Sequence, residues 1–402
     1  MAFYPGAELS NRHTMRQKMC SRLVVWLAGS LVLLLSIIIL SRHSAVPSNL
    51  LKIGYMGQGV LDDVRNSTLG FEKILVISLP ERSDKRDVWA LAASQCDLSI
   101  SWVEGVKGED IPIKAIPAGW NMRESNSTLG CYRGHLNAFQ RIISDKLSSA
   151  LIFEDDAEWD INIKSQLVDF ARGLHYLQRV EKPEALHSPY GDDWDVLWLG
   201  YCGAKSRSGD HSYWITHDDP TVVPEPLRTE TRKEGNRYLD DSAEPLRGTF
   251  TRVVTEPYNI RCLYAYAVSQ RGARRFLYNY SVLPKARTAD VAVSEFCSDG
   301  VSGARCFAPF PQFVDNYLAA GDTAKDSDRR PFHSEFREQG TSNNIVFPAK
   351  TNLGTFIDNS RLYQSRWPDR TLRESINPDT YVFPRGHGVY LSKEQFKTPK
   401  NY

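Results

Sequence analysis

From residue 73 onward, short uninterrupted apolar runs alternate with longer stretches in which apolar residues recur every three or four positions. Residues 73–79 are apolar through Ile74, Leu75, Val76 and Ile77 and stop at Pro80, which predicts a buried strand ended by a breaker. Ser83 then offers a cap for a helix over 84–94. A second strand is predicted over 99–103, and a helix over 135–146 that places Leu136, Phe139 and Ile143 on one face. Strand 150–153, helix 161–177, strand 195–200, strand 262–269 and helix 271–279 follow. Such alternation predicts α/β architecture around a mostly parallel central sheet. Two segments break the rhythm. Residues 203–258 are polar and nearly aperiodic, the texture of a functional lid or insertion, and the chain beyond about Thr341 reads as a tail wrapping the domain.

A different pattern precedes this domain. Residues 23–40 carry no charge and are rich in Leu, Val and Ile; as a helix they would be about 27 Å long, close to a bilayer core. Arg12, Arg16, Lys18 and Arg22 precede them, while only Arg42 and Lys52 follow closely. The positive-inside rule therefore leaves 1–22 in the cytosol and sends the rest across as a type II, single-pass protein. A cleaved signal peptide is the other reading, although its apolar core is normally shorter and nearer the start. Residues 41–70 read as a stem, 71–331 as one domain able to bury a full core, and 332–402 as the tail.

Charge and cysteine usage narrow the picture. A net charge of +1 with no block of Lys or Arg offers nucleic acid no general attraction. Cys20 precedes the apolar segment, where juxtamembrane palmitoylation occurs, and the other six of the seven cysteines follow it. In an oxidising compartment they permit disulfides, and Cys297 with Cys306, bracketing a Gly-containing loop, is the pair expected; others can remain buried thiols. Asn66, Asn126 and Asn279 open sequons for N-glycosylation, with Asn279 in a helical context.

The densest chemistry lies where strand 150–153 ends, at Glu154, Asp155 and Asp156. In open α/β sheets ligands bind just beyond the carboxyl ends of strands. Crowded carboxylates resist joint ionisation, and a divalent cation relieves that cost. Oxygen ligands favour Mn²⁺ or Mg²⁺ over zinc, and such ions usually also hold substrate phosphates. The competing reading makes the three acids the first turn of the following helix, with Glu158 and Asp160 as solvent-facing or helix-start charges.

Several segments in order resemble glycosyltransferase family 25: Ile77-Ser78-Leu79-Pro80-Glu81-Arg82-Ser83-Asp84-Lys85-Arg86, Gly105 after Trp102-Val103-Glu104, Leu129-Gly130-Cys131-Tyr132-Arg133-Gly134-His135, and the strand leading into Glu154-Asp155-Asp156. Asp195 to Gly200, Ala265-Tyr266-Ala267-Val268-Ser269 with Gly272-Ala273, and Asp290 to Phe296 agree with its later blocks. The resemblance covers about 74–328. Two positions differ: Ser78 stands where the family often has Asn, and Gly134 where it usually has Ser.

The family includes collagen and lipopolysaccharide-type galactosyltransferases, and also members that have lost activity. The resemblance implies a GT-A-like, Rossmann-like nucleotide-sugar domain, a UDP-sugar donor, Mn²⁺ (or Mg²⁺), transfer of galactose with inversion to a glycan or glycoprotein, and a Golgi or endoplasmic reticulum membrane. By the same resemblance Asp156 is the first metal ligand, Glu154 faces ribose or a metal-bound water, and Asp155 is a ligand or supports one. Arg82 and Arg86 follow the first strand, where guanidinium groups can grip a diphosphate; the alternative is a solvated helix face. His135 is expected to begin a helix and to contact donor or acceptor, or else to be a core histidine. Inversion needs a carboxylate to accept the acceptor proton, and Asp290 is the choice, against a helix-capping role. Asp315, Asp326, Asp328 and His333 stand in reserve. A catalytically silent carbohydrate-binding or adhesion protein is the second reading. A glycosidase fits less well, since its two carboxylates must flank the scissile bond.

Overall fold

The structure is a computed structural model that describes residues 59–206, 211–229, 243–298, 303–329 and 335–396. The apolar segment 23–40, Cys20, most of the stem and His333 lie outside the described residues. Among those described, no helix is long and apolar enough to cross a membrane.

The elements that build the site are β1 (Lys73–Ser78), α1 (Ser83–Gln95), β2 (Ile100–Glu104), α2 (Asn126–Ser144), β3 (Ser149–Glu154), β4 (Ala157–Trp159), α3 (Ile163–Leu177), β5 (Val196–Gly200), β6 (Gly203–Ser206), β7 (His211–Thr216), β8 (Arg252–Thr255), β9 (Pro257–Arg261), β10 (Ala265–Ser269), α4 (Gln270–Leu277), α5 (Ala289–Ser298), β11 (Cys306–Phe310) and β12 (Val314–Leu318). Across the main sheet the order runs β2-β1-β3-β10-β5-β11, then β8, β7 and the late strand His387–Leu391. β1 is parallel to β2 and β3, β11 is parallel to β5, and β10 is antiparallel to both its neighbours. Five of the six central strands thus share one direction, giving a mixed α/β, Rossmann-like core.

Burial explains why these runs become central strands. Ala150, Leu151, Ile152 and Phe153 are all at most 1% exposed, so both faces of β3 are covered and the run is continuously apolar rather than alternating. Leu151 and Phe153 pack with Trp89, Trp159, Leu167 and Phe170 on one face. Ala150 and Ile152 pack with Phe139, Tyr266, Phe276 and Phe296 on the other.

The helix expected over 135–146 begins at Asn126, so His135 sits mid-helix rather than at its start. Ser125 caps it, accepting from the Thr128 amide at 3.2 Å. Gly130 does not interrupt the helix but lets it approach the loop after β2, since a Cβ there would lie 2.2 Å from the Val106 carbonyl oxygen. The described parts of 203–258 form strands that their texture does not suggest: β6 pairs with β9, and β7 and β8 extend the main sheet. The tail also enters the fold, burying Val346, Phe347 and Ala349 and pairing His387–Leu391 with β7.

Asp315, in β12, shows how the tail is held. Its carboxylate accepts from Gln312 Nε2 at 2.7 Å, Asn344 Nδ2 at 2.8 Å and the Asn316 amide at 2.7 Å. It is therefore a structural acid, spoken for by three donors, and not a reserve catalytic group. Burial outweighs those donors and pushes its pKa up to about 6. A raised acid stabilises the fold below its unfolded pKa of 3.8 and loses that contribution as pH climbs through about 6, a change of about 3 kcal/mol. The wild type should accordingly lose more thermal stability than Asp315→Asn between pH 4 and pH 7. Parallel melting profiles for the two proteins across that range would refute this.

Candidate functional site

β3 delivers Glu154, Asp155 and Asp156 to the carboxyl end of the sheet, where the chain turns sharply into β4. The backbone of the turn is pinned on both sides: Trp89 Nε1 donates to the Asp155 carbonyl at 2.8 Å and the Tyr317 amide to the Asp156 carbonyl at 2.6 Å. β4 separates the acids from α3, which starts only at Ile163, so they are not its first turn.

The three acids meet different surroundings. Glu154 Oε1 lies 3.1 Å from His135 Nε2, and Lys85 Nζ lies 2.6 Å from Asp155 Oδ1. Asp156 Oδ1 is enclosed and has no hydrogen-bond partner. Burial pushes the Asp156 pKa up to about 7; Lys85 and Lys350 oppose that shift while Glu154 and Asp155 add to it. The unpartnered Asp156 oxygen beside Asp155 offers the oxygen donors that Mn²⁺ or Mg²⁺ takes, while Glu154 is turned toward His135 and Cys131.

Glu158 and Asp160 are not solvent-facing or helix-start charges; both are at most 1% exposed. Asp160 accepts from the Asn162 amide and the Phe347 amide, each at 3.0 Å, tying the tail to the entry of α3. Glu158 accepts from the Lys350 amide at 3.1 Å, and Lys350 sends its ammonium onto the Ala157 carbonyl at 2.5 Å. That ammonium lies 4.8 Å above the Trp89 ring. Burial lowers the Lys350 pKa and raises that of Glu158, each resisted by the other. A cation from the tail thus underlies the acids. Lys350→Met would leave Glu158 buried without it, and we expect a loss of about 3 kcal/mol, read as a thermal midpoint several degrees lower. A variant that melts with the wild type would show that Lys350 does not hold this layer together.

Cations line the other side. Arg82 precedes α1 and grips Asp328 with one nitrogen at 2.6 and 2.5 Å, and it also bonds Asp84 at 2.9 Å. Lys85, three residues on, reaches Asp155 and lies 3.5 Å from Asp328. Arg86 turns away from the acids, donating to the Ser78 carbonyl at 3.0 Å with its guanidinium 4.9 Å over Trp102. None of these is a freely solvated helix face. Sequence reasoning singled out Arg82 and Arg86 and missed Lys85, whose only signal was its place in the same cationic run.

His135 is 3% exposed, with Nδ1 2.8 Å from the Tyr266 hydroxyl. Beside it, Gly134 packs against β1; a Cβ there would come within 3.1 Å of Ile77 Cγ2. Asp290 lies in the first turn of α5, where its Oδ1 accepts from the Val291 amide at 2.9 Å, a contact of the kind a helix-start acid makes. Its carboxylate accepts from Thr288 Oγ1 at 3.1 Å and, at 3.4 Å, from the Cys262 amide. Two residues after Cys262, the Tyr264 carbonyl accepts from the Glu154 amide at 3.1 Å, which places Asp290 at the acidic end of the sheet. Asp326 is taken up by Arg337 at 2.7 Å.

Cys297 and Cys306 are bonded to each other, and Cys202 is bonded to Cys262 across the base of the 203–258 segment. Cys96 and Cys131 remain thiols. Asn66 and Asn126 are exposed, whereas Asn279 is half-buried and donates to the Arg275 carbonyl at 2.9 Å.

Residues 71–192 match Glycosyltransferase family 25 (LPS biosynthesis protein). Procollagen galactosyltransferase 2 of Mus musculus is 23% identical over 172 residues, 36% of this chain and 25% of that protein. Inactive glycosyltransferase 25 family member 3 of Homo sapiens is 26% identical over 149 residues, 34% of this chain and 23% of that protein. The chain thus spans about a quarter of the length of these curated relatives. Among solved structures, mannose-1-phosphate geranyltransferase from Thermus thermophilus aligns with a TM-score of 0.24 and 10% identity over 65% of this chain and 67% of that one, too slight a likeness to bear on the fold. The matched stretch runs from β1 through β3 and β4 to beyond the end of α3 and contains all three acids, so it is residues 71–192 of this chain that match glycosyltransferase family 25.

Proposed function

We propose that the protein is a GT-A-like, metal-dependent glycosyltransferase, anchored as a type II single-pass protein of the Golgi or endoplasmic reticulum through residues 23–40. Its reaction transfers galactose from a UDP-sugar to a glycan or glycoprotein acceptor with inversion. The observation that carries this reading is the enclosed, unpartnered Oδ1 of Asp156 at the exit of β3. Mn²⁺ held by Asp156 with Asp155 would supply positive charge to the departing diphosphate. Arg82 and Lys85 bind that diphosphate in exchange for Asp328, whose carboxylate they now hold. Asp290 accepts the proton of the acceptor hydroxyl as its oxygen bonds the anomeric carbon and the bond to the diphosphate breaks.

The second reading, a silent carbohydrate-binding member, is favoured by the ion pairs that already occupy Arg82, Lys85 and Asp155, and by the inactive human relative. Full-length protein in detergent, offered a panel of nucleotide sugars and glycoprotein acceptors with and without Mn²⁺, separates the two. Metal-dependent turnover of a UDP-sugar is expected. Neither transfer nor donor hydrolysis at saturating metal, with glycan binding retained, would establish the silent reading. Endoglycosidase digestion of sealed membrane fractions tests the topology: a mobility shift from glycans at Asn66 or Asn126 is expected, and access of protease from the cytosolic side with no shift would overturn it.

A further inference from the structure

Cys131 and His135 stand four residues apart on α2, one helical turn, so both side chains leave the same face. That face meets the end of β3 at Glu154. The Cys131 sulfur, a ring nitrogen of His135 and a carboxylate oxygen of Glu154 all lie within 4.8 Å of one another. The histidine is held from behind by Tyr266 at Nδ1, which leaves Nε2 aimed at Glu154. Metal-bound histidines are oriented in this way, with the second ring nitrogen donating to a fixed partner. Cys131 belongs to no disulfide and is only half-buried, so an ion can reach it. Among the described residues Glu154 has no Lys or Arg in ion-pair range, whereas Asp155 has Lys85.

One sulfur, one imidazole nitrogen and one carboxylate oxygen form a different donor set from the all-oxygen acids at Asp155 and Asp156. Such a set suits a tetrahedral, borderline-soft cation with water in the fourth position. We propose that Cys131, His135 and Glu154 form a Zn²⁺ site, distinct from the hard-cation site and independent of whether the protein transfers sugar. On binding, the Cys131 thiol gives its proton to solvent and its sulfur bonds the metal as a thiolate, while His135 gives to solvent the Nε2 proton that faces Glu154 in the free protein, binds through Nε2 and keeps its other proton at Nδ1 toward Tyr266.

The test uses full-length protein in detergent, stripped of metal by chelation and titrated with Co²⁺ as a spectroscopic stand-in for Zn²⁺. Expected is one equivalent of Co²⁺ giving a thiolate-to-cobalt charge-transfer band, abolished by added Zn²⁺. The band should vanish in Cys131→Ser, persist in Asp156→Asn, and require about 10- to 100-fold more Co²⁺ in Tyr266→Phe. No thiolate band in the wild type, a band that survives Cys131→Ser, or one lost in Asp156→Asn with circular dichroism unchanged would overturn the site. Alkylation adds a readout needing no variant: Zn²⁺ should protect Cys131 from iodoacetamide in the wild type, and unprotected labelling at saturating Zn²⁺ would refute it.

Discussion

Asp156→Asn should abolish Mn²⁺-dependent binding of a UDP-sugar and lower transfer by about 10³-fold or more, while melting no earlier than the wild type. The expectation follows from the unusual cost of this carboxylate. Its Oδ1 is enclosed without a partner, and burial pushes its pKa up to about 7. An acid with a raised folded pKa weakens the fold as pH rises from the ordinary carboxylate range to that value, so the neutral amide of the same shape removes a liability along with the metal ligand. Calorimetric titration of a UDP-sugar with and without Mn²⁺, beside a thermal melt, reads both halves. Metal-dependent affinity that survives in Asp156→Asn would remove the acid from the metal site, and a large fall in melting temperature would recast it as structural.

Asp290→Asn is expected to behave differently, keeping donor and Mn²⁺ affinity but losing about 10²–10⁴-fold in kcat. Asp290 is not among the acids at the β3 exit, yet its contact with the Cys262 amide puts it at the same end of the sheet. On the proposed reading this carboxylate stays off the metal and exchanges its contacts with Thr288, Val291 and Cys262 for the acceptor hydroxyl. Single-turnover kinetics beside equilibrium donor binding separates the two effects. Near-normal turnover would dismiss Asp290 as the base, and a product of retained anomeric configuration would remove the need for one.

The predictions rest unevenly on sequence and structure. β1, β3 and β5 could be read directly because each is buried on both faces and so spells itself as a continuous apolar run. Glu154 to Asp156 could be placed at a strand exit for the same reason, and the order of the motifs pointed to the family that residues 71–192 match. α2 begins at Asn126, ahead of the predicted 135–146, and Gly130 in that added stretch is a point of close packing against the loop after β2. The strands of 203–258 were missed because β7 and β8 lie at the outer part of the main sheet, where polar and apolar residues mix, and β6 pairs with β9 in a small sheet of its own.

What the sequence by itself determined was therefore local: which runs are strands and helices, where three acids follow a strand, and which family the early motifs resemble. Only tertiary structure decided which charges are spent and on what. Glu158 and Asp160 look like their acidic neighbours in the chain, yet the turn into β4 buries them against the tail. Lys350 lies almost two hundred residues from the acids it underlies, and Asp328 returns from beyond β12 to occupy Arg82. Cys131 and His135 become a candidate ligand pair only once α2 faces the end of β3. Hydrophobic periodicity is a property of neighbours along the chain, and it fixes which face of an element is buried. The pairing of charges and ligands depends on which distant elements close over that face, and no local pattern encodes that distance.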